Sequence, residues 1–473
     1  MTSFRNVVEQ AAKALPEIKK PGRKVSLTEK LGWTALALVI YLWMGNTLLY
    51  GLPAGAQAQQ TPLLFNIIFA AKQGTLITLG IGPIVTAGLI LQLLVGAEII
   101  KLDLTKPNDR AVFTTASKLL AIIVTIFEGA AFTLSGFFGP INQEQAYVIF
   151  AQLVAATVII IMLDEMVQKG WGLGSGISLF IAAGVAEQVF VNLFSPIILQ
   201  DGFYQGIIPA LVQGIAGAGI APLFIRIGGF PDIVGLTATI VLIIILIYIE
   251  SIRIEIPISY AKFSGYRAKY PIKLLYVSNI PIIFASTVFS NIFYIGSLVW
   301  TRFNPENTNT LLNILGTFTS DPNRGVIPTG GLAYYVTPPR NLLQVFADPM
   351  HAFIYAVLLT IFSVLFAKFW VQIGGLSPYK VANQLIAAGM QVPGFRRSPT
   401  VIARVLQKYI STVTIIGGLI IGIVGSVSNY FGVFGSGIGL LLTTSILHQY
   451  YQILLRERIT EMHPAIGRLL GEE

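Results

Sequence analysis

Side chains suited to metal, nucleophile or proton chemistry are scarce in this chain. Three histidines, His351, His448 and His463, stand far apart with no carboxylate or cysteine at ligand spacing, so no metal site is expected. Cysteine is absent, which removes disulfides, thiolate ligands and a thiol nucleophile. No Gly-Lys-Ser/Thr tripeptide exists to cradle nucleotide phosphates. The glycine-rich run Gly172-Leu173-Gly174-Ser175-Gly176 joins two apolar stretches and reads as a tight helix–helix turn rather than a phosphate loop. Among the carboxylates, Glu128 in TIFEGAAF is the only one that looks deep in an apolar stretch, whereas Asp164 and Glu165 read as lying at a helix end near water. One isolated Glu is a thin relay for proton-coupled transport. These residues describe no enzyme and call for no cofactor.

The elements that would position them are set by composition. Of 473 residues, 54% are hydrophobic and 11% charged, too few charges to cover a water-facing domain. Mean hydropathy is +0.73, and the pattern is that of an all-α polytopic membrane protein. Ten stretches approach the ~20 apolar residues that a crossing needs. They lie near Trp33–Tyr50, Ile81–Ile99, Ala116–Leu134, Ala146–Met162, Ser175–Phe194, Ile233–Tyr248, Pro281–Val299, Ala352–Phe369, Tyr409–Val427 and Gly435–Leu454. Met1–Lys30 is polar and basic with no apolar h-region, so no signal peptide is expected there. It opens with an amphipathic pattern (Phe4, Val7, Val8, Ala11, Ala12, Leu15) that predicts a helix on the membrane surface, ended by Pro16 and Pro21.

With ten spans and both termini cytoplasmic, all but five of the 31 Lys and Arg fall on the cytoplasmic side, the exceptions being Lys72, Arg226, Arg302, Arg324 and Arg340. An eleventh apolar stretch, Gly206–Ile225, would invert everything after it and place Lys262, Arg267, Lys269 and Lys273 outside. It reads instead as part of an external hairpin. The resulting organisation is a cytoplasmic segment 1–30, a first five-span half 31–200, an external hairpin 201–232, a second half 233–456 and a cytoplasmic tail 457–473. Cytoplasmic loops are expected at 253–275 and 369–408. Ten spans divide into five plus five, the parity of an inverted repeat. Thr61–Ala71 is apolar but too short to cross. Gly74, Gly80, Gly82 and Pro83 separate it from the second span, which therefore looks broken.

Several motifs then resemble the SecY family, the central (alpha) subunit of the Sec translocon, in archaeal style. They are Gly74-Thr75-Leu76, GIGPIVTAGLILQLLVG (Gly80–Gly96), GWGLGSGISLFIA (Gly170–Ala182), YPIKLLYVSNIPII (Tyr270–Ile283) and GSGIGLLL (Gly435–Leu442). The resemblance runs through essentially the whole chain. It implies a ten-helix clamshell of two pseudo-symmetric halves around an hourglass pore. It also implies a short plug at 61–73, comprising Thr61, Pro62, Leu63, Leu64, Phe65, Asn66, Ile67, Ile68, Phe69, Ala70 and Ala71.

The resemblance maps an apolar pore ring onto Ile81, Val85, Ile177, Ile181, Ile283 and Leu442. The i, i+4 spacing of Ile81/Val85 and Ile177/Ile181 independently places each pair on one helix face. Ile438 stands where many members carry threonine. A lateral-gate polar cluster maps onto Thr86, Glu128 and Asn291. Ribosome docking maps onto Lys262, Arg267, Lys269 and Lys273 in one loop and Arg396, Arg397, Arg404 and Lys408 in the other, with Lys380 nearby. Implied partners are a SecE-like and a small beta-type single-span subunit, the ribosome, signal peptides, nascent chains and membrane lipids. The expected activity is passive conduction of unfolded polypeptides and lateral release of hydrophobic segments. Read from span number and broken helices alone, an ion-coupled secondary transporter stays an alternative.

Overall fold

The computed structural model describes the chain apart from residues 1–7, 9, 11–14, 53–65, 67–68, 98, 103, 105, 135–136, 139–140, 200, 227–228, 261–266, 276–279, 322–324, 340, 375, 388, 392–397 and 463–473. Ten long helices follow one another among the described residues. The first five are α1 (Leu27–Asn46), α2 (Gly82–Gly96), α3 (Pro107–Leu134), α4 (Gln143–Gln168) and α5 (Gly176–Phe194). The second five are α6 (Ile233–Ser251), α7 (Ile280–Phe303), α8 (Pro349–Ile373), α9 (Pro399–Tyr430) and α10 (Gly437–Met462). Among the described residues, seven helices are long and apolar enough to cross a membrane by length and composition. Of the other three, α2 has only 15 residues, and α1 and α10 carry charges at one end (Glu29 and Lys30; Arg456, Glu457 and Arg458).

Local chemistry sets the helix starts. Ser26 accepts the Glu29 amide at 3.3 Å to open α1, and Asn142 with Gln145 forms a capping box for α4. Asp232 accepts the Gly235 amide at 2.6 Å to open α6. Asp348 accepts the His351 amide at 3.0 Å, and Pro349 takes the first helical position of α8, where a missing N–H costs nothing.

Gly206–Ile225 forms no continuous helix. Its helix Ile207–Gln213 has 7 residues and gives way to a π turn at Gly214–Ala218. At ~1.5 Å per residue the helix spans only about a third of the hydrocarbon. Arg226, 3% exposed, pins this segment. It donates to the Tyr204 carbonyl at 3.0 Å and pairs with Asp201 at 2.9 Å. Burial pushes the Asp201 carboxyl up, but the hydrogen bond and charge of Arg226 outweigh it and hold the group below the usual range.

Near the N-terminus, Val8 is buried against Leu91 of α2 and Ala116 of α3, so this helical position packs on protein. Phe4, Val7, Ala11 and Ala12 lie outside the described residues.

Between the long helices the loops carry short strands. Strands β1 (Arg253–Tyr260) and β2 (Arg267–Lys273) pair antiparallel, with Arg253 opposite Lys273. β3 (Thr317–Asp321) and β4 (Gly325–Gly330) form a separate hairpin. β5 (Met390–Gln391) joins the free edge of β1, giving the order β2-β1-β5. The reason is legible in RIEIPISY, where isoleucines alternate with polar residues at the period of a half-buried strand.

Candidate functional site: an apolar constriction

The largest buried cluster draws side chains from both sets of five helices. Ile81, Val85, Ile181 and Leu442 are buried members of it, and Ile177 and Ile283 pack against it half-buried. All six positions expected to form the ring therefore belong to, or pack against, one apolar cluster. Ile438 is fully buried in the same cluster.

The backbone explains how α2 contributes. The helix begins at Gly82 with Pro83 in its first turn, and Ile81 is its N-cap residue at φ −91°, ψ 2°. The Val85 amide closes on the Ile81 carbonyl at 3.0 Å, so the two side chains still lie one turn apart. Just before this, Gly80 sits at φ +54°, and a Cβ there would lie 2.1 Å from the Phe69 carbonyl oxygen. Only glycine fits that position.

Of the plug positions, Thr61–Phe65, Ile67 and Ile68 lie outside the described residues. Phe69 and Ala70 are buried in the same cluster as the ring. The Phe69 carbonyl accepts the Ile81 amide at 2.7 Å, the Phe69 ring stacks on Tyr294 at 6.1 Å, and the Tyr41 hydroxyl donates to the Ala70 carbonyl. Ala71 donates to the Asn66 carbonyl at 2.7 Å. Lys72 then reaches Asn46 at 2.9 Å and Glu187 at 3.0 Å, tying this segment to α1 and α5. Tyr41 and Glu187 carried no signal in the sequence, because their partners are a backbone carbonyl and a residue 115 positions away.

Of the polar trio, the structure joins two. Asn291 Nδ2 donates to Thr86 Oγ1 at 3.4 Å, across α7 and α2. Glu128 is half-buried on α3 and has no hydrogen-bond or ion-pair partner among the described residues.

One expectation about carboxylates is corrected. Asp164 is 8% exposed, and its Oδ1 accepts the Ile177 amide at 2.9 Å. Glu250, at the end of α6, is likewise buried against protein at 7% exposed and accepts from Ser445 at 3.2 Å. Both sit near helix ends, where hydropathy suggests water but neighbouring helices close over them. Glu165 pairs with Lys118 at 2.8 Å and Lys169 at 2.8 Å. Lys169 in turn holds Glu17 through a hydrogen bond and its charge, which keeps the exposed Glu17 carboxyl low.

The two basic loops share one small fold. Ile256 and Ile272 of the β1–β2 hairpin pack in a common core with Val381, Leu385, Ile402 and Leu406 of the later loop, and the β1–β5 pairing joins their backbones. Lys269 is exposed and pairs with Glu255, while Lys273 lies 3.8 Å from Glu250. Arg404 and Lys408 are exposed, one turn apart on α9. Arg267 is the first residue of β2. Lys262, Arg396 and Arg397 lie outside the described residues. Among the described residues no group of three His, Cys, Asp or Glu side chains could hold a metal.

Comparison with known proteins gives one answer. The family profile described as SecY matches residues 75–451. The protein translocase subunit SecY of Pyrococcus horikoshii is 41% identical, over 98% of this chain and 99% of that protein. That of Methanocaldococcus jannaschii is 39% identical over 97% and 98%. Among solved structures, one described as a protein conducting channel superposes with a TM-score of 0.81 at 36% identity, covering 96% of this chain and 98% of that one. Sec61 in the canine ribosome–channel complex from the endoplasmic reticulum gives 0.79 at 35% identity, with coverage of 96% and 98%.

Proposed function

The chain belongs to the SecY family, and from that premise we propose which of its residues conduct a polypeptide and which open the path. It is a multi-pass membrane protein and a protein-conducting translocation channel, so the secondary-transporter alternative falls away. The observation that carries the residue assignment is that Ile81, Val85, Ile181 and Leu442 are buried in one apolar cluster against which Ile177 and Ile283 pack. An aliphatic constriction excludes water and ions at rest. Its flexible side chains part around an extended chain without offering it a polar site to bind. The base of the plug, Phe69–Ala70, packs against the ring and is released when the channel opens.

The gate lies between α2/α3 and α7/α8, crossed by the Asn291–Thr86 bond, and Glu128 on α3 has no hydrogen-bond or ion-pair partner among the described residues. A signal sequence offers an apolar run of ~7–15 residues, and burying it at this seam tips the balance toward opening. The two halves 31–200 and 233–456 separate there. Both termini and the basic loops are cytoplasmic, in the cell membrane. The chain hydrolyses nothing, and an external motor supplies the drive. SecE-like and beta-type single-span subunits complete the complex.

The shared core of the basic loops supports their acting as one docking platform for the ribosome, using Lys262, Arg267, Lys269, Lys273, Arg396, Arg397, Arg404 and Lys408. Contacts to RNA phosphates are salt-dependent. Reversing charge at Arg267 and Arg396 together should weaken ribosome binding roughly tenfold or more and flatten its salt dependence. An unaltered salt titration would remove the docking role.

The ring itself is tested by replacing Ile81, Ile181 and Leu442 with serine. Vesicles holding the full channel should become permeable to small ions at rest. Unchanged permeability in a folded triple variant would show that the seal lies elsewhere.

A further inference from the structure

The turn that joins α4 to α5 is held by helices on every side of it. The Leu173 amide donates to Thr34 Oγ1 of α1 at 2.9 Å. The Ser175 carbonyl accepts from the Tyr450 hydroxyl of α10 at 2.8 Å. The Ile177 amide donates to Asp164 Oδ1 of α4 at 2.9 Å, and Asp164 Oδ2 accepts from Gln168 at 2.7 Å. Ser175 is the residue type that normally caps a helix start, yet its side chain makes no capping bond. The acceptor for the first turn of α5 comes instead from Asp164, a buried carboxylate on the preceding helix.

Ile177, whose amide this carboxylate holds, is itself a position of the apolar constriction, and Ile181 follows one turn later. Leu442 lies eight residues before Tyr450 on α10. The bonds from Asp164 and Tyr450 therefore fix the start of α5 against α4 and α10 together. A slip of α5 by one residue would move it ~1.5 Å along its axis and turn it by about 100°, taking Ile177 and Ile181 off the ring. Both oxygens of Asp164 already accept from fixed donors, which suits an anchor and leaves neither free to relay protons.

We propose that Asp164 is a positioning residue of the channel: with Tyr450, it sets the depth and rotation of Ile177 and Ile181 against Leu442, and so the tightness of the resting seal. This rests on the reading of the six apolar side chains as the pore ring. The fully assembled channel in vesicles serves for the test, with resting ion permeability and thermal unfolding both recorded.

Asp164→Leu keeps the bulk but removes the acceptor, and should raise resting permeability about tenfold, the scale of losing a helix cap. Asp164→Asn keeps an acceptor oxygen and should restore most of the seal. Tyr450→Phe should leak about fivefold above the parent, the loss of one neutral hydrogen bond. The Ile81/Ile181/Leu442 serine variant serves as the comparator. If it leaks while a normally stable Asp164→Leu channel stays tight, the positioning role is wrong and the ring stands. If the serine variant is tight, both fall. Equal leaks from Asp164→Leu and Asp164→Asn would overturn the hydrogen-bond account. Should Asp164→Leu fail to accumulate, Tyr450→Phe decides: a leak supports the proposal and parental tightness refutes it.

Discussion

The seam between α8 and α9 and the seam between α2 and α7 are both helix pairs inside the bundle, but they are built in opposite ways. On α9, Gly418 and Gly422 let the backbone of α8 come close. A Cβ on Gly418 would lie 2.9 Å from the Val364 Cα, and one on Gly422 would lie 2.5 Å from the Thr360 Cα. This is the small-xxx-small packing that joins membrane helices through van der Waals contact alone. No glycine of α2 or α7 brings these two backbones together, and a Cβ on Gly88 would meet nothing within 4 Å. It is crossed by the Asn291–Thr86 hydrogen bond at 3.4 Å, long for an amide donor. The contrast teaches where opening is cheap. Separating α8 from α9 would forfeit dense backbone contact, whereas parting α2 from α7 gives up one weak polar bond and side-chain packing.

The sharpest way to break this comparison is at Gly422. Gly422→Leu forces a side chain into the Thr360 backbone, and overpacking of this kind costs about 1–3 kcal/mol or more. A lower unfolding temperature and poor accumulation are expected. Parental stability would mean that the α8–α9 seam is not the rigid one.

A smaller and more informative effect is expected at Asn291. In the closed seam its amide is partly desolvated and poorly repaid by a 3.4 Å bond, while in the open state it can reach water or the passing chain. Asn291→Leu removes that cost from the closed state and should favour closure by about 1 kcal/mol, roughly fivefold. Export should then demand more hydrophobic signal sequences. An unchanged threshold across a graded signal series would count against the gate.

Much of the architecture is legible in the sequence. The ten helices follow from runs of apolar residues, and the start of α2 follows from Gly82-Pro83, since proline tolerates only the first turn. The ring positions come from the family resemblance of the flanking glycine motifs, and the i, i+4 spacing adds only that Ile81/Val85 and Ile177/Ile181 each share a face. What escaped had its cause in residues distant in sequence. The β1–β5 pairing sets Tyr260 opposite Met390, and neither loop alone announces the sheet. Asp164 looked solvated because it ends an apolar run, yet the amide it caps lies on the next helix and Gly176 and Ile177 close over it. Family likeness groups Glu128 with Thr86 and Asn291, and geometry joins only the latter two.

The central claim is that the polypeptide path runs through the apolar cluster. A photoreactive amino acid placed at Ile181 or at Leu442 tests it directly, with Ile240 as an outward-facing control that is 52% exposed on α6. With a secretory chain stalled midway through translocation, the account predicts adducts between that chain and positions 181 and 442, and little at 240. Adducts confined to position 240, or absent at 181 and 442 while translocation proceeds, would contradict it.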